Sequence, residues 1–134
     1  MPEPAQIVRD LLSHLAEGRS DAAIALLDEE VEWRNSGLPT VRGRDRVGGM
    51  LRDMEKRGIG FEVRMHHLAA DGDIVLTDRT DLLRYGRLES EFWVCGTFRV
   101  RDGRVLLWDD HFSQTSFLIA TVKGAARALL PRRR

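Results

Sequence analysis

Two aspartates and an arginine stand where strand alternation would otherwise put apolar side chains. In Ile74–Tyr85 successive side chains point to opposite faces, so Thr77, Arg79, Asp81 and Leu83 share one wall. In Val105–Phe112 the same alternation groups Leu106, Trp108, Asp110 and Phe112, with Asp109 and His111 on the reverse side. A carboxylate between Trp108 and Phe112 on a core-facing side is costly to desolvate unless a cation or good hydrogen bonds meet it. Arg79 is the obvious partner, because a guanidinium can present one edge to each of two carboxylates. Two carboxylates near one cation also repel each other, which can leave one protonated and one ionised at neutral pH. Such an acid and base suit a reaction that takes a proton from a nucleophile while delivering one to a leaving oxygen. A purely structural buried ion network has the same pattern, and spacing alone does not choose between them.

The other reactive residue types are less suggestive. His66 and His67 are adjacent on an expected strand, so they face opposite sides and do not chelate one metal; no metal site is expected. His67 shares parity with Phe61, Val63 and Met65, which predicts a hydrogen-bonded core histidine at or near a cavity wall. Cys95 falls on the face opposite Phe92, Val94 and Phe98 and reads as packing rather than nucleophile. As the single cysteine it excludes an intrachain disulfide and a multi-cysteine zinc site, and it fits a reducing cytoplasm. No G-x-G-x-x-G, P-loop or G-x-S-x-G motif is present, which argues against nucleotide and serine-hydrolase chemistry.

The elements that must position these residues follow from periodicity. Ile7, Val8, Leu11, Leu12 and Leu15 predict an amphipathic helix from Pro4 to about Ala16, stopped by Gly18. Ser20 or Asp21 caps a second short helix through Leu27, Val31–Trp33 reads as a short strand, and residues 36–39 as loop. Val47, Met50, Leu51 and Met54 mark a helix over Asp45–Lys56. Phe61–Ala70, Ile74–Tyr85, Glu91–Arg101 and Val105–Phe112 then read as four strands in an antiparallel meander. Thr115–Leu130 closes the chain with a short strand end and a helix stopped by Pro131. Helices first and an antiparallel sheet afterwards give an α+β class with the helices over one sheet face. If that sheet is strongly bent into a cone, Met54, Val63, Leu83, Phe92, Val94, Trp108, Phe112 and Phe117 can line an apolar pocket inside it.

Size and charge set the outer bounds. A chain of 134 residues with 43% hydrophobic content supports one domain, residues 1–134, around one core. Twenty-one basic residues balance twenty-one acidic ones, so no global positive field points to nucleic acid or anionic membrane. The one basic run, Arg132–Arg134, is terminal and reads as a solvated tail. No signal-peptide pattern opens the chain and no run of apolar residues is long enough to span a bilayer, so a cytoplasmic protein is expected.

Taken together, VLTDRTDLL at 75–83, LLWDDHF at 106–112 and WRN at 33–35 resemble the limonene-1,2-epoxide hydrolase family in order and spacing. The resemblance runs over most of the chain and implies the nuclear transport factor 2-like cone fold, a fold that hosts many functions. It also implies a catalytic triad of Arg79, Asp81 and Asp110 and no cofactor. By that resemblance Asp110 takes a proton from water, Asp81 protonates the epoxide oxygen and Arg79 holds both carboxyl groups, with no covalent enzyme intermediate. The family binds its water through a Y-x-N pair; Asn35 matches, but Trp33 stands where tyrosine is expected. Indole donates one hydrogen bond and accepts none, so this departure predicts altered substrate choice or slower turnover. The implied partners are a small hydrophobic epoxide, water and a second copy of the chain, packed on a sheet face carrying Trp93 and Cys95. Two other functions fit the same pattern: an epoxide-opening cyclase or isomerase on this fold, and a non-catalytic module that binds hydrophobic ligands.

Overall fold

The computed structural model describes residues 2–130, so the expected stop at Pro131 and the tail Arg132–Arg134 lie outside the described residues. Helix α1 (Pro4–Ala16) has proline in its first turn and buries Ile7, Val8, Leu11 and Leu12 along one stripe. Helix α2 (Ser20–Ala25) contributes buried Ala23 and Ile24, and α3 (Arg44–Lys56) contributes Val47 and Leu51. Strands β1 (Leu27–Asn35), β2 (Val41–Arg42), β3 (Ile59–Asp71), β4 (Ile74–Tyr85), β5 (Leu88–Arg101) and β6 (Arg104–His111) form one sheet in the order β2-β1-β6-β5-β4-β3. The sheet is curved and open, and α1 packs chiefly against β3 while α4 (Gln114–Leu129) lies along β5. This is the α+β architecture expected, with a core joining Val8, Leu11, Val31, Val75, Phe98 and Trp108.

The four-strand meander matches the periodicity, and β4 does so residue for residue. Three departures have clear causes. First, β1 is longer than Val31–Trp33 and pairs in parallel with β6, setting Trp33 beside Trp108 and Asn35 beside Asp110. Its acidic run Asp28–Glu30 and a register shift between Leu27 and Glu32 break the alternation that would have announced a strand. The two-residue edge strand β2 was not expected, being too short to carry a period.

Second, β-bulges change which residues face inward. The β3–β4 register shifts between Met65 and His67, so His67 leaves the face of Phe61, Val63 and Met65. It is not a core histidine: its side chain is exposed and its Nδ1 lies 2.9 Å from Asp78 Oδ2 on the outer face. A second shift pairs Val100 with Val105 but Arg99 with Leu107, leaving Leu106 as the extra residue, half-buried and out of the alternation that holds Trp108 and Asp110. Third, Thr115–Leu130 contains no strand end. The helix begins at Gln114, with Ser113 as its cap accepting from the Ser116 amide at 3.2 Å. Gly124 lets α4 sit against β5, since a Cβ there would lie 1.7 Å from the Glu89 carbonyl oxygen.

Candidate active site

Arg79 and Asp81 lie on β4 and Asp110 on β6, two strands that are not neighbours; β5 runs between them. In register, Gly96 of β5 sits opposite Thr77 on one side and Asp110 on the other. A Cβ at this position would lie 2.5 Å from Arg79 Nη1, 2.7 Å from Thr77 Oγ1 and 3.0 Å from Asp110 Oδ1. The missing side chain is therefore the space through which the guanidinium reaches across β5.

The resulting network is buried: Arg79 is 0% exposed, Asp81 4% and Asp110 6%. Arg79 donates from Nε to Asp81 Oδ1 at 2.8 Å and from Nη2 to Asp81 Oδ2 at 3.1 Å, a two-pronged pair. Nη2 also lies 2.8 Å from Asp110 Oδ2, and Nη1 donates to Thr77 Oγ1 at 3.0 Å. The guanidinium carbon is 5.8 Å from the centre of the Phe98 ring. Trp108 Nε1 donates to the same Oδ2 of Asp110 at 3.1 Å, whereas Oδ1 of Asp110 is buried with no partner among the described residues. One carboxylate is thus fully engaged, and the other retains a free acceptor.

Burial raises both aspartates above the ordinary carboxylate range, against the pull of Arg79; the charge of Asp81 pushes Asp110 further in the same direction. For Arg79, burial opposes the charge, but the two carboxylates outweigh it and the guanidinium is held protonated. Both carboxyl groups are thus drawn towards their protonated forms, and their titration belongs to the pair.

Asp81 and Asp110 open onto an apolar cavity of about 510 Å³. Seven of the eight apolar residues expected there line it: Met54, Leu83, Phe92, Val94, Trp108, Phe112 and Phe117. Val63 does not; it packs against the core from β3, the strand that α1 covers. Phe92 and Phe117 meet edge to face with ring centres 4.8 Å apart, fixing α4 over one side of the cavity. Trp33 and Asn35 also line it, brought there by the parallel pairing of β1 with β6. Trp33 stacks on Trp108 at 4.8 Å, and its Nε1 is buried without a partner among the described residues.

Strand parity gave no sign of the residues that complete the cavity from helices and loops, among them Leu15, Ser20, Met50, Glu55 and Gln114. Gln114 could have been suspected only from its helix-start position; its Nε2 donates to the Ser36 carbonyl at 3.1 Å and ties α4 to the loop after β1. Asp109 and His111 lie on the reverse side of β6, 3.2 Å apart, and Trp93 and Cys95 are exposed on the outer face of β5.

The family model for the limonene-1,2-epoxide hydrolase catalytic domain matches residues 2–123. Epoxide hydrolase EphG of Mycobacterium tuberculosis is 39% identical over 124 residues, covering 92% of this chain and 83% of the relative. A solved structure of an M. tuberculosis limonene-epoxide-hydrolase-like epoxide hydrolase superposes with a TM-score of 0.89 at 37% identity, over 94% of this chain and 89% of that one. At 17% identity, a nuclear transport factor 2-like protein from Burkholderia pseudomallei shares the fold alone, with a TM-score of 0.77 over 90% of this chain and 98% of its own. With that fold, and a family match spanning nearly its whole length, the chain is an enzyme of the limonene-1,2-epoxide hydrolase family.

Proposed function

We propose that the chain adds water to an epoxide in one step and releases a vicinal diol, with Asp110 as base, Asp81 as acid and Arg79 holding both. The observation that carries this reading is the guanidinium at 2.8 Å from each of two carboxylates that both open onto one apolar cavity. A structural ion network has no need of a cavity against both acids. Water oxygen attacks one ring carbon as its proton passes to Asp110; the carbon–oxygen bond breaks as Asp81 protonates the departing oxygen. Return of one proton from Asp110 to Asp81 resets the pair. Arg79 remains charged throughout, limiting the cost of an anionic carboxylate in this low-dielectric wall. Asn35 and Trp33 lie beside Asp110 and Trp108 in register, which suits them to hold the water. Trp33 can only donate to it.

The experiment is a single turnover in ¹⁸O-labelled water with enzyme in excess. The one-step reading predicts label in the diol on the first turnover and none in the protein. Unlabelled diol followed by label in an aspartate would replace it with a covalent mechanism. Ring closure of a hydroxy-epoxide without diol would favour the cyclase, which the donor-only Trp33 keeps in play.

The same reading makes residues 1–134 one functional domain acting in the cytoplasm as a homodimer. The lone cysteine fits a reducing compartment, and exposed Trp93 and Leu76 on the outer sheet face fit a packing surface for a second copy. Sedimentation of a monomer at micromolar concentration would reject the dimer.

A further inference from the structure

We propose that Thr77 is a positioning residue for the reaction: its hydroxyl holds the far end of the Arg79 guanidinium and so keeps Nη2 on Asp110. This rests on the hydrolase reading above.

Arg79 grips its two carboxylates unequally. Asp81 takes hydrogen bonds from Nε and Nη2, a two-pronged hold along one edge of the guanidinium. The nearest approach to Asp110 is a single contact, Oδ2 at 2.8 Å from the same Nη2, and its Oδ1 has no hydrogen-bond partner among the described residues. Both Arg79 and Asp81 belong to β4, so the two-pronged hold fixes the guanidinium only relative to its own strand. The planar group can still tilt about that edge, and a tilt carries Nη2 away from Asp110 on β6, with β5 in between. Nη1 is the remaining point of attachment, and it donates to Thr77 Oγ1 at 3.0 Å.

Thr77 is suited to hold it. The residue is buried, its branched side chain restricts χ1, and its hydroxyl donates to the Gly96 carbonyl oxygen at 3.5 Å. That direction leaves a lone pair for Nη1. The hydroxyl therefore ties Arg79 to β5, where Gly96 pairs with Thr77 on one side and with Asp110 on the other. Thr77 takes no part in the described cavity wall, so its effect on the chemistry passes through Arg79.

A direction of pH dependence follows. Among the described residues, the charged groups that face Asp110 are Arg79 and Asp81 of β4. Trp33 and Asn35 of β1 and Gly96 of β5 do not titrate, and Asp109 and His111 lie on the reverse side of β6. Glu55 of α3 is the one other charged side chain in the described cavity wall. Of the charged groups beside Asp110, Arg79 draws it towards its ionised form and Asp81 opposes that. Without the Thr77 tether the pull of Arg79 weakens, and the base ionises only at higher pH.

The test is the pH dependence of kcat/KM for diol formation from cyclohexene oxide by wild type, Thr77→Val and Thr77→Ser. Beside it runs a ¹³C titration of the Asp110 carboxyl, identified by its loss in Asp110→Asn. Valine keeps the shape and removes the acceptor; serine keeps the acceptor. In Thr77→Val the acid limb and the carboxyl titration should both move up by about one pH unit, lowering kcat/KM about tenfold below the limb and little above it. In Thr77→Ser both should return to within about 0.3 pH unit of wild type. Should valine prevent folding, Thr77→Ala, which lacks both hydroxyl and branch, must show the same upward move. A threonine that only satisfies a buried donor would lower the whole profile evenly, moving neither limb nor titration. That result, or a limb moved equally by valine and serine, would overturn the proposal. No diol from the wild type would sink the hydrolase reading, and the carboxyl titration would then decide alone whether Thr77 sets the contact between Arg79 and Asp110.

Discussion

On the inner face of β4, Asp81 takes two hydrogen bonds from Arg79; three residues earlier, on the outer face, Asp78 accepts from Trp93 Nε1 and pairs with His67. Both are aspartates of β4 in hydrogen-bonded contact with a basic side chain, Arg79 of the same strand for Asp81 and His67 of β3 for Asp78. Their proton affinities move in opposite directions. Asp78 is lowered, first by the Trp93 hydrogen bond and then by His67, because solvent already bears most of the cost of its charge. Asp81 and Asp110 are raised, because burial outweighs everything Arg79 supplies. The difference teaches that the presence of a basic partner does not decide an aspartate's proton affinity; access to water does, and only the inner pair is drawn towards its protonated form.

That contrast can be attacked at several points. The largest effect is expected from Arg79→Met, which leaves two buried carboxylates without their cation. It should cost about 3–5 kcal/mol of stability, read by denaturant titration, and abolish diol formation. Retention of both would mean the network is ornamental. Next comes Gly96→Ala, whose methyl would land on Arg79, Thr77 and Asp110 at once. A loss of about 1–3 kcal/mol is expected, with a drop in kcat larger than any change in KM. An alanine enzyme of normal kcat would show that Arg79 does not need that gap.

Proton linkage separates the two faces by sign. The raised pKa values of Asp81 and Asp110 contribute stability that is fully present below the unfolded value near 3.8 and lost as pH rises through the folded values. The lowered pKa of Asp78 contributes stability present above that value and lost as pH falls through the folded one. Thermal melts from pH 3 to 8 should therefore show Asp110→Asn gaining on the wild type as pH rises, and Asp78→Asn gaining as pH falls. Matching trends would erase the distinction. The smallest effect is expected from Asp78→Asn on turnover, a kcat/KM within about twofold of wild type, since an exposed pair is worth little.

How much of this could be read without coordinates depends on the range of the signal. Strand β4 was legible to the residue, because alternation is local and nothing interrupts it between Ile74 and Tyr85. The pairing of β1 with β6 was not, because a parallel neighbour distant in sequence leaves no local trace, and the acidic run in β1 masks what little alternation the bulge allows. His67 was misassigned for the same class of reason: one extra residue in β3 reverses every parity after it. The charged trio was conspicuous because charges on a core face are expensive and need an explanation. Gly96, which makes the trio possible, was silent because its contribution is an absence of atoms. The rim residues Ser20, Glu55 and Gln114 come from helices whose sequence pattern is spent on packing, so their approach to the cavity emerges only from the tertiary arrangement.

The most direct measurement of the central claim is diol formation by wild type and Asp110→Asn across aliphatic, terpene and styrene-type epoxides, with circular dichroism to verify the fold. The account predicts diol from wild type and a loss of about 10²–10⁴ in kcat for the asparagine enzyme at unchanged secondary structure. Diol formed at the same rate by both proteins would contradict it.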